Sequence, residues 1–121
     1  MKENIIQIKS FEFAVRIIKA ARYLQNDKKE FILSKQIMRS GTSVGANVEE
    51  AIGGQSTKDF IAKLSISYKE ARETLYWLKL LKATDYLSQN EANSLIEDAD
   101  ELCKILSSIL ISTKQKLNKK D

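Results

Sequence analysis

The run Gln36–Ala51, QIMRSGTSVGANVEEA, puts small residues where a helix ordinarily carries large ones. Ser40, Gly41, Thr42, Ser43, Gly45, Ala46 and Asn47 all fall inside a stretch whose flanks repeat with helical spacing. Glycine in a helix interior costs roughly 1 kcal/mol relative to alanine, so two of them one turn apart need compensation. Close approach of another helix provides it, because backbones can draw together where side chains are missing. The chain also lacks proline, which suits long uninterrupted helices.

A length of 121 residues fits one domain with a real core. With 43% hydrophobic and 30% charged residues the expectation is a soluble globular protein, not a disordered one. No apolar run approaches the ~20 residues of a membrane span. The first residues alternate charge and isoleucine (Lys2, Glu3, Ile5, Ile6, Ile8, Lys9) without a signal-peptide h-region, so a cytoplasmic location is expected. Cys103 is the sole cysteine, which excludes an internal disulfide, and its place in an apolar stripe reads as a buried thiol rather than a nucleophile. Histidine is absent. With it go the commonest general base and the commonest transition-metal ligand, and the expectation is a protein that is not an enzyme and carries no cofactor or metal.

Helical periodicity predicts four helices, at about residues 10–25, 29–53, 57–84 and 89–117. Ser10 is an N-cap candidate for the first, with Phe11, Ala14, Ile17, Ile18, Ala21 and Leu24 as its stripe. Asp27 and Glu30 resemble a capping box before the second, and Gly53-Gly54 ends it in the left-handed position that suits glycine. Ser56 with Asp59, and Ser88 with Glu91, cap the third and fourth. The fourth carries Ala92, Leu95, Ala99, Leu102, Leu106 and Ile109 as its core face, and the basic tail from Thr113 is expected to fray. Short connections between long amphipathic helices favour an all-α, up-down antiparallel four-helix bundle.

The third helix has two apolar faces. Phe60, Ile61, Leu64, Tyr68, Ala71, Leu75 and Leu78 gather on one side; Ile66, Tyr76, Trp77 and Leu80 fall on the other. Tyrosine and tryptophan bury ~150–250 Å² each, and a lone bundle has no second core to cover them. On the second helix Ile37, Gly41, Val44, Val48 and Ile52 form the core stripe, opposite Arg39, Ser43, Ala46 and Glu50. These outer faces, with Glu73 between them, are read as a homo-oligomer interface. The alternative is that Tyr76 and Trp77 fold over neighbouring helix ends within one subunit.

Glu49, Glu50, Glu70 and Glu73 suggest a di-iron carboxylate bundle, but those sites use Glu-x-x-His pairs. Here the acids are better read as ion-pairing with Arg39, Lys69 and Arg72, fixing register more than adding stability, with Asn47 hydrogen-bonding across the same contact. The turn Gly53–Ser56 lacks the Walker lysine of a phosphate loop. The net charge is +4. Arg16, Lys19 and Arg22 cluster on the first helix, and Lys114 and Lys116 lie near the end of the chain beside Lys119 and Lys120. Such clusters could engage phosphates without reading sequence; the alternative is solvated lysines that aid solubility.

Two stretches carry a family resemblance. One is Gln36-Ile37-x-Arg39-Ser40-x-x-Ser43-Val44-x-Ala46-Asn47-Val48-Glu49-Glu50-Ala51. The other is Ser56-x-x-Asp59-Phe60-x-x-Lys63-Leu64, with Lys69-Glu70-x-x-Glu73-Thr74-x-Tyr76-Trp77-Leu78 beyond it. Together they resemble the four-helix-bundle proteins linked to 23S ribosomal RNA intervening sequences, whose relatives include an accessory protein of diversity-generating retroelements. The resemblance implies a bacterial, cytoplasmic bundle assembled as a ring-like homo-pentamer, and a nucleic-acid-binding accessory role for some members. Two functional expectations follow: an oligomer that binds RNA or DNA through a basic surface, or an oligomeric scaffold for a protein partner without nucleic-acid affinity.

Overall fold

The computed structural model describes residues 2–120, with side chains from Ile5 to Lys119; the side chains of Lys2, Glu3 and Lys120, read above for charge, lie outside the described residues. Among the described residues there are four helices and no strand: α1 (Lys2–Asn26), α2 (Leu33–Ile52), α3 (Thr57–Ala83) and α4 (Gln89–Lys120). Each helix packs on the next, and α4 closes back on α1. Ile17 meets Gly41 while Ser10 meets Gly45, so α1 and α2 run in opposite directions. Lys63–Glu50 and Arg39–Glu70 show the same for α2 and α3, and Lys9–Glu101 with Arg16–Asp98 for α1 and α4.

Ile6, Phe13, Ile17 and Leu24 of α1 are fully buried together with Ile37, Val44 and Val48, Leu64, Leu78 and Leu81, and Leu102 and Leu106. The helix starts differ from the sequence expectation in two places. First, α1 begins at Lys2, not near Ser10. Ser10 is 1% exposed inside the helix, where its hydroxyl donates to the Gln7 carbonyl at 3.2 Å. The buried stripe therefore runs through Ile6 and Phe13, and Phe11 points outward at 70% exposure. Second, α2 begins at Leu33 rather than Lys29, which takes a left-handed φ of 56°. The capping acid is Glu30, not Asp27. Its carboxylate accepts from the backbone N–H groups of Ile32, Leu33 and Ser34 at 3.1, 2.9 and 2.7 Å. Burial pushes the Glu30 carboxyl up, but these backbone donors outweigh it and hold the group below the ordinary carboxylate value.

The chain ends of the helices also differ in part. Gly53 closes α2 with φ −81°, not in the left-handed region. The tight place is Gly54, where a Cβ would lie 3.1 Å from the Ala51 carbonyl oxygen and 3.3 Å from Asp59 Cβ. The left-handed position after α3 belongs to Asp85, φ 63°. There Tyr86 N–H donates to the Leu81 carbonyl at 3.0 Å and Asp85 N–H to Lys82 at 3.2 Å, the two bonds of a Schellman motif. Ile52 is exposed and Ala51 takes its place in the α2 core. Beyond Thr113 the helix continues to Lys120. Ser56 and Ser88 cap as expected, accepting from Asp59 and Glu91 N–H at 3.0 and 3.2 Å.

Candidate functional site

The small-residue run of α2 is an intramolecular seam with two sides. Toward α1, a Cβ on Gly41 would stand 2.8 Å from Ile17 Cγ2, and one on Gly45 3.3 Å from Ser10 Oγ. Toward α3, Ser67 Oγ donates to the Val44 carbonyl at 2.8 Å and Thr74 Oγ1 meets Ser40 Oγ at 2.8 Å, all buried. Asn47 does not reach across: its amide donates to the Ser43 carbonyl at 2.9 Å within α2.

Above this seam lies a charged cluster. Arg39 donates to Glu70 at 3.2 Å and also to Glu73, and Trp77 Nε1 donates to the same Glu73 carboxylate at 2.9 Å. Trp77 packs against the core of its own subunit and meets Tyr76 edge-on at 5.3 Å between ring centres. Glu50 pairs with Lys63 at 3.1 Å, and Glu49 accepts from Gln7 at 3.2 Å. Ser43 and Leu80 are half-buried, and Ala46 faces out. No group of three or more acidic or cysteine side chains among the described residues could hold a metal ion. Burial pushes the Cys103 thiol up, against a smaller opposing pull from Arg72, so the sulfur stays protonated at neutral pH.

Large apolar side chains remain outside. On α3 these are Ile66 and Tyr76, the latter 57% exposed. On α1, Ile8, Phe11 and Val15 form a stripe of their own, and Phe31 and Ile32 project from the α1–α2 connection, Ile32 at 75%. Helical spacing could have found the α1 stripe, had Phe11 not been assigned to the core.

The basic residues separate into distinct sites. Arg16 is engaged by Asp98 and by Ser94 Oγ at 2.9 Å. Lys19 and Arg22, farther along α1, are exposed and form no ion pair among the described residues. Lys114 and Lys116 sit at the opposite end of the bundle: with Arg16 level with Ser94, and 1.5 Å per residue, they lie about 30 Å or more from Lys19 along the axis. Lys116 edges a recess beside Ile52, Gly54 and Phe60. Lys114 borders a groove between α3 and α4. No helix among the described residues is long and apolar enough to cross a membrane.

A sequence profile of the 23S rRNA-intervening sequence protein family matches residues 2–108. Among solved structures, a protein of unknown function from the S23 ribosomal protein family of Bacteroides thetaiotaomicron superposes with a TM-score of 0.89. It is 52% identical, and the match covers 91% of this chain and 98% of that one. No curated protein matches this chain.

Proposed function

The chain belongs to the 23S rRNA-intervening sequence protein family, and from that premise we propose that it acts without catalysis, as a homo-oligomeric bundle that binds nucleic acid through basic surfaces. The observation that carries this reading is the set of exposed cations, Lys19, Arg22, Lys114 and Lys116, that no acidic side chain among the described residues neutralises. Repeated around an oligomer, they make a phosphate-binding surface that needs no base-specific contact. Assembly is supported by the two uncovered apolar faces, Ile8, Phe11 and Val15 on α1 and Ile66 and Tyr76 on α3. A ring of five, in the cytoplasm, is what the family resemblance adds.

Fluorescence anisotropy of labelled structured RNA and duplex DNA, titrated with protein across a salt series, tests the reading. Binding whose log–log salt slope is steeply negative supports it and counts the phosphates engaged. Absence of binding at low salt removes it. The exposed Phe31 and Ile32 favour a second reading, an oligomeric scaffold for a protein partner. A partner interaction that survives nuclease treatment, together with no nucleic-acid binding, would select that one.

A further inference from the structure

We propose that the groove between α3 and α4 holds the nucleic acid, and that its occupant is a single unpaired strand; this rests on the nucleic-acid reading above. The groove has a volume of about 600 Å³ and is lined by Tyr68 and Arg72 from α3 and by Lys104, Ser107, Ile111 and Ser112 from α4. It continues into a second recess of about 270 Å³ that adds Ser65 and Lys114.

The lining chemistry is one-sided. Arg72, Lys104 and Lys114 bring three positive charges, while Asp100 is the one carboxylate lining either recess, and it pairs with Lys104 at 3.1 Å. The Arg72 guanidinium lies 5.9 Å from the centre of the Tyr68 ring, a cation–π approach at the outer edge of its range that sets the guanidinium beside the aromatic surface. Hydroxyls of Tyr68, Ser65, Ser107 and Ser112 line the same recesses as the cations, and these are the side chains that share phosphate and sugar contacts with arginine and lysine. Lys104 and Lys114 stand about 15 Å apart along α4 at 1.5 Å per residue. At ~3.4 Å per nucleotide for a stacked strand, and more when extended, that span takes about two to four nucleotides.

Groove width and its apolar lining select a single strand. Neighbouring helix axes lie ~8–10 Å apart, too close for the recess to admit a duplex, which could touch only the rim. Ile111, 56% exposed, lines both recesses, as Tyr68 does. An aliphatic and an aromatic surface beside cations serves a base or sugar that is free of pairing, and a duplex has its bases turned inward. The α1 cluster has none of this: Arg16 is held by Asp98, and Lys19 and Arg22 lie on the open helix face.

The test is anisotropy with labelled short oligouridine and with a fully paired RNA hairpin, using four proteins: wild type, Arg72→Glu/Lys114→Glu, the charge-matched Lys28→Glu/Lys35→Glu at exposed positions outside the proposed binding surfaces, and Ile111→Ala. The groove pair should weaken oligouridine binding about tenfold or more, and the Lys28/Lys35 pair less than about threefold, although both change net charge equally. Ile111→Ala should weaken oligouridine several-fold and leave the hairpin and the salt slope unchanged. Equal losses for both charge pairs, or no effect of Ile111→Ala, overturn the groove. So does displacement of the strand by polyglutamate at equal charge concentration, which would make this a general polyanion surface. Photocrosslinking of 4-thiouridine RNA to wild-type protein keeps the proposal testable if a variant misfolds: crosslinks should map to 65–72 and 104–115, and crosslinks confined to α1 refute it. If wild type binds neither RNA, the nucleic-acid reading itself fails; if it binds and the groove variants behave as wild type, only the groove fails.

Discussion

Gly41→Ala tests whether the α1–α2 contact is as close as the structure has it. Alanine in place of a mid-helix glycine is ordinarily stabilising by about 1 kcal/mol. Here the added Cβ would stand 2.8 Å from Ile17 Cγ2, 2.9 Å from Cγ1 and 3.2 Å from Cβ. Isoleucine is stiff at χ1, and Ile17 is completely buried, so rotating one branch away drives the other into the same space. Relief requires moving α1. Overpacking of this kind costs about 1–3 kcal/mol, and the stiffness places it in the upper half of that range. The net expectation is a loss of about 1–2 kcal/mol, or about 4–8 °C in Tm. Gly45→Ala, one turn along, is the control. Its Cβ would meet Ser10 Oγ at 3.3 Å and the Ser10 carbonyl oxygen at 3.4 Å, contacts that small adjustments relieve, so its stability should stay within about 1 kcal/mol of wild type.

Urea unfolding followed by circular dichroism, at one fixed protein concentration because assembly would contribute to stability, gives the comparison. Ile17→Ala alone should cost about 2–5 kcal/mol. In the double variant Ile17→Ala/Gly41→Ala the methyl added on α2 occupies space vacated by the isoleucine, so the loss should fall short of additivity by about 2 kcal/mol. A Gly41→Ala protein as stable as wild type, or strict additivity in the double variant, would refute the close contact.

Three further outcomes are expected. Asp85→Gly relieves a left-handed non-glycine position after α3 and should raise stability by up to about 1 kcal/mol in the same assay. Glu30 has a folded pKa below its ordinary value, so its stabilisation is whole above the unfolded pKa and fades as pH falls through the folded one; Glu30→Gln should be less stable at pH 7 and should flatten the acid side of a stability–pH profile. Phe11→Glu and Tyr76→Glu charge the two uncovered apolar faces, and at least one should lower the mass measured by light scattering without loss of helicity; wild-type mass for both would remove the proposed interfaces. Trp77→Glu is a poorer probe, because Trp77 packs on its own core.

Much of α4 was readable from spacing alone: Ala92, Leu95, Ala99, Leu102, Leu106 and Ile109 are all buried. The serine caps of α3 and α4 were readable for a similar reason, since their donors lie only a turn away. The phase of α1 was not. Its apolar residues satisfy helical spacing on two sides, and only packing decides that Ile6 and Phe13 go in while Phe11 stays out. Glu30 was readable only as the far member of an Asp27 capping box. That it is itself the cap follows from the left-handed Lys29 before it and from a carboxylate reaching forward to the N–H groups of residues 32–34, which no serine capping pattern announces. Ser67 and Thr74 look like surface residues by hydropathy, yet each is buried because a hydroxyl acceptor or carbonyl on α2 meets it. Whether a basic residue is available is likewise a tertiary fact. Asp98 lies far along the chain from Arg16, and nothing local to Arg16 announces their pairing.

The helices of the bundle are joined by two kinds of contact. Ser40, Gly41, Gly45, Ser67 and Thr74 let α1, α2 and α3 approach closely, and no buried side-chain polar atom among the described residues is left without a partner. α4 meets the other helices with Leu102, Leu106, Ile109 and Leu110, and with Ala92 and Ala99. It packs on α3 as extensively as α1 packs on α2, and on α1 much less. Open recesses flank it on both sides, about 600 Å³ toward α3 and about 410 Å³ toward α1, beside Ile5 and Ile105. The small polar residues of the seam thus fix how α1, α2 and α3 sit together, and the sparse α1–α4 contact is where the bundle closes least tightly.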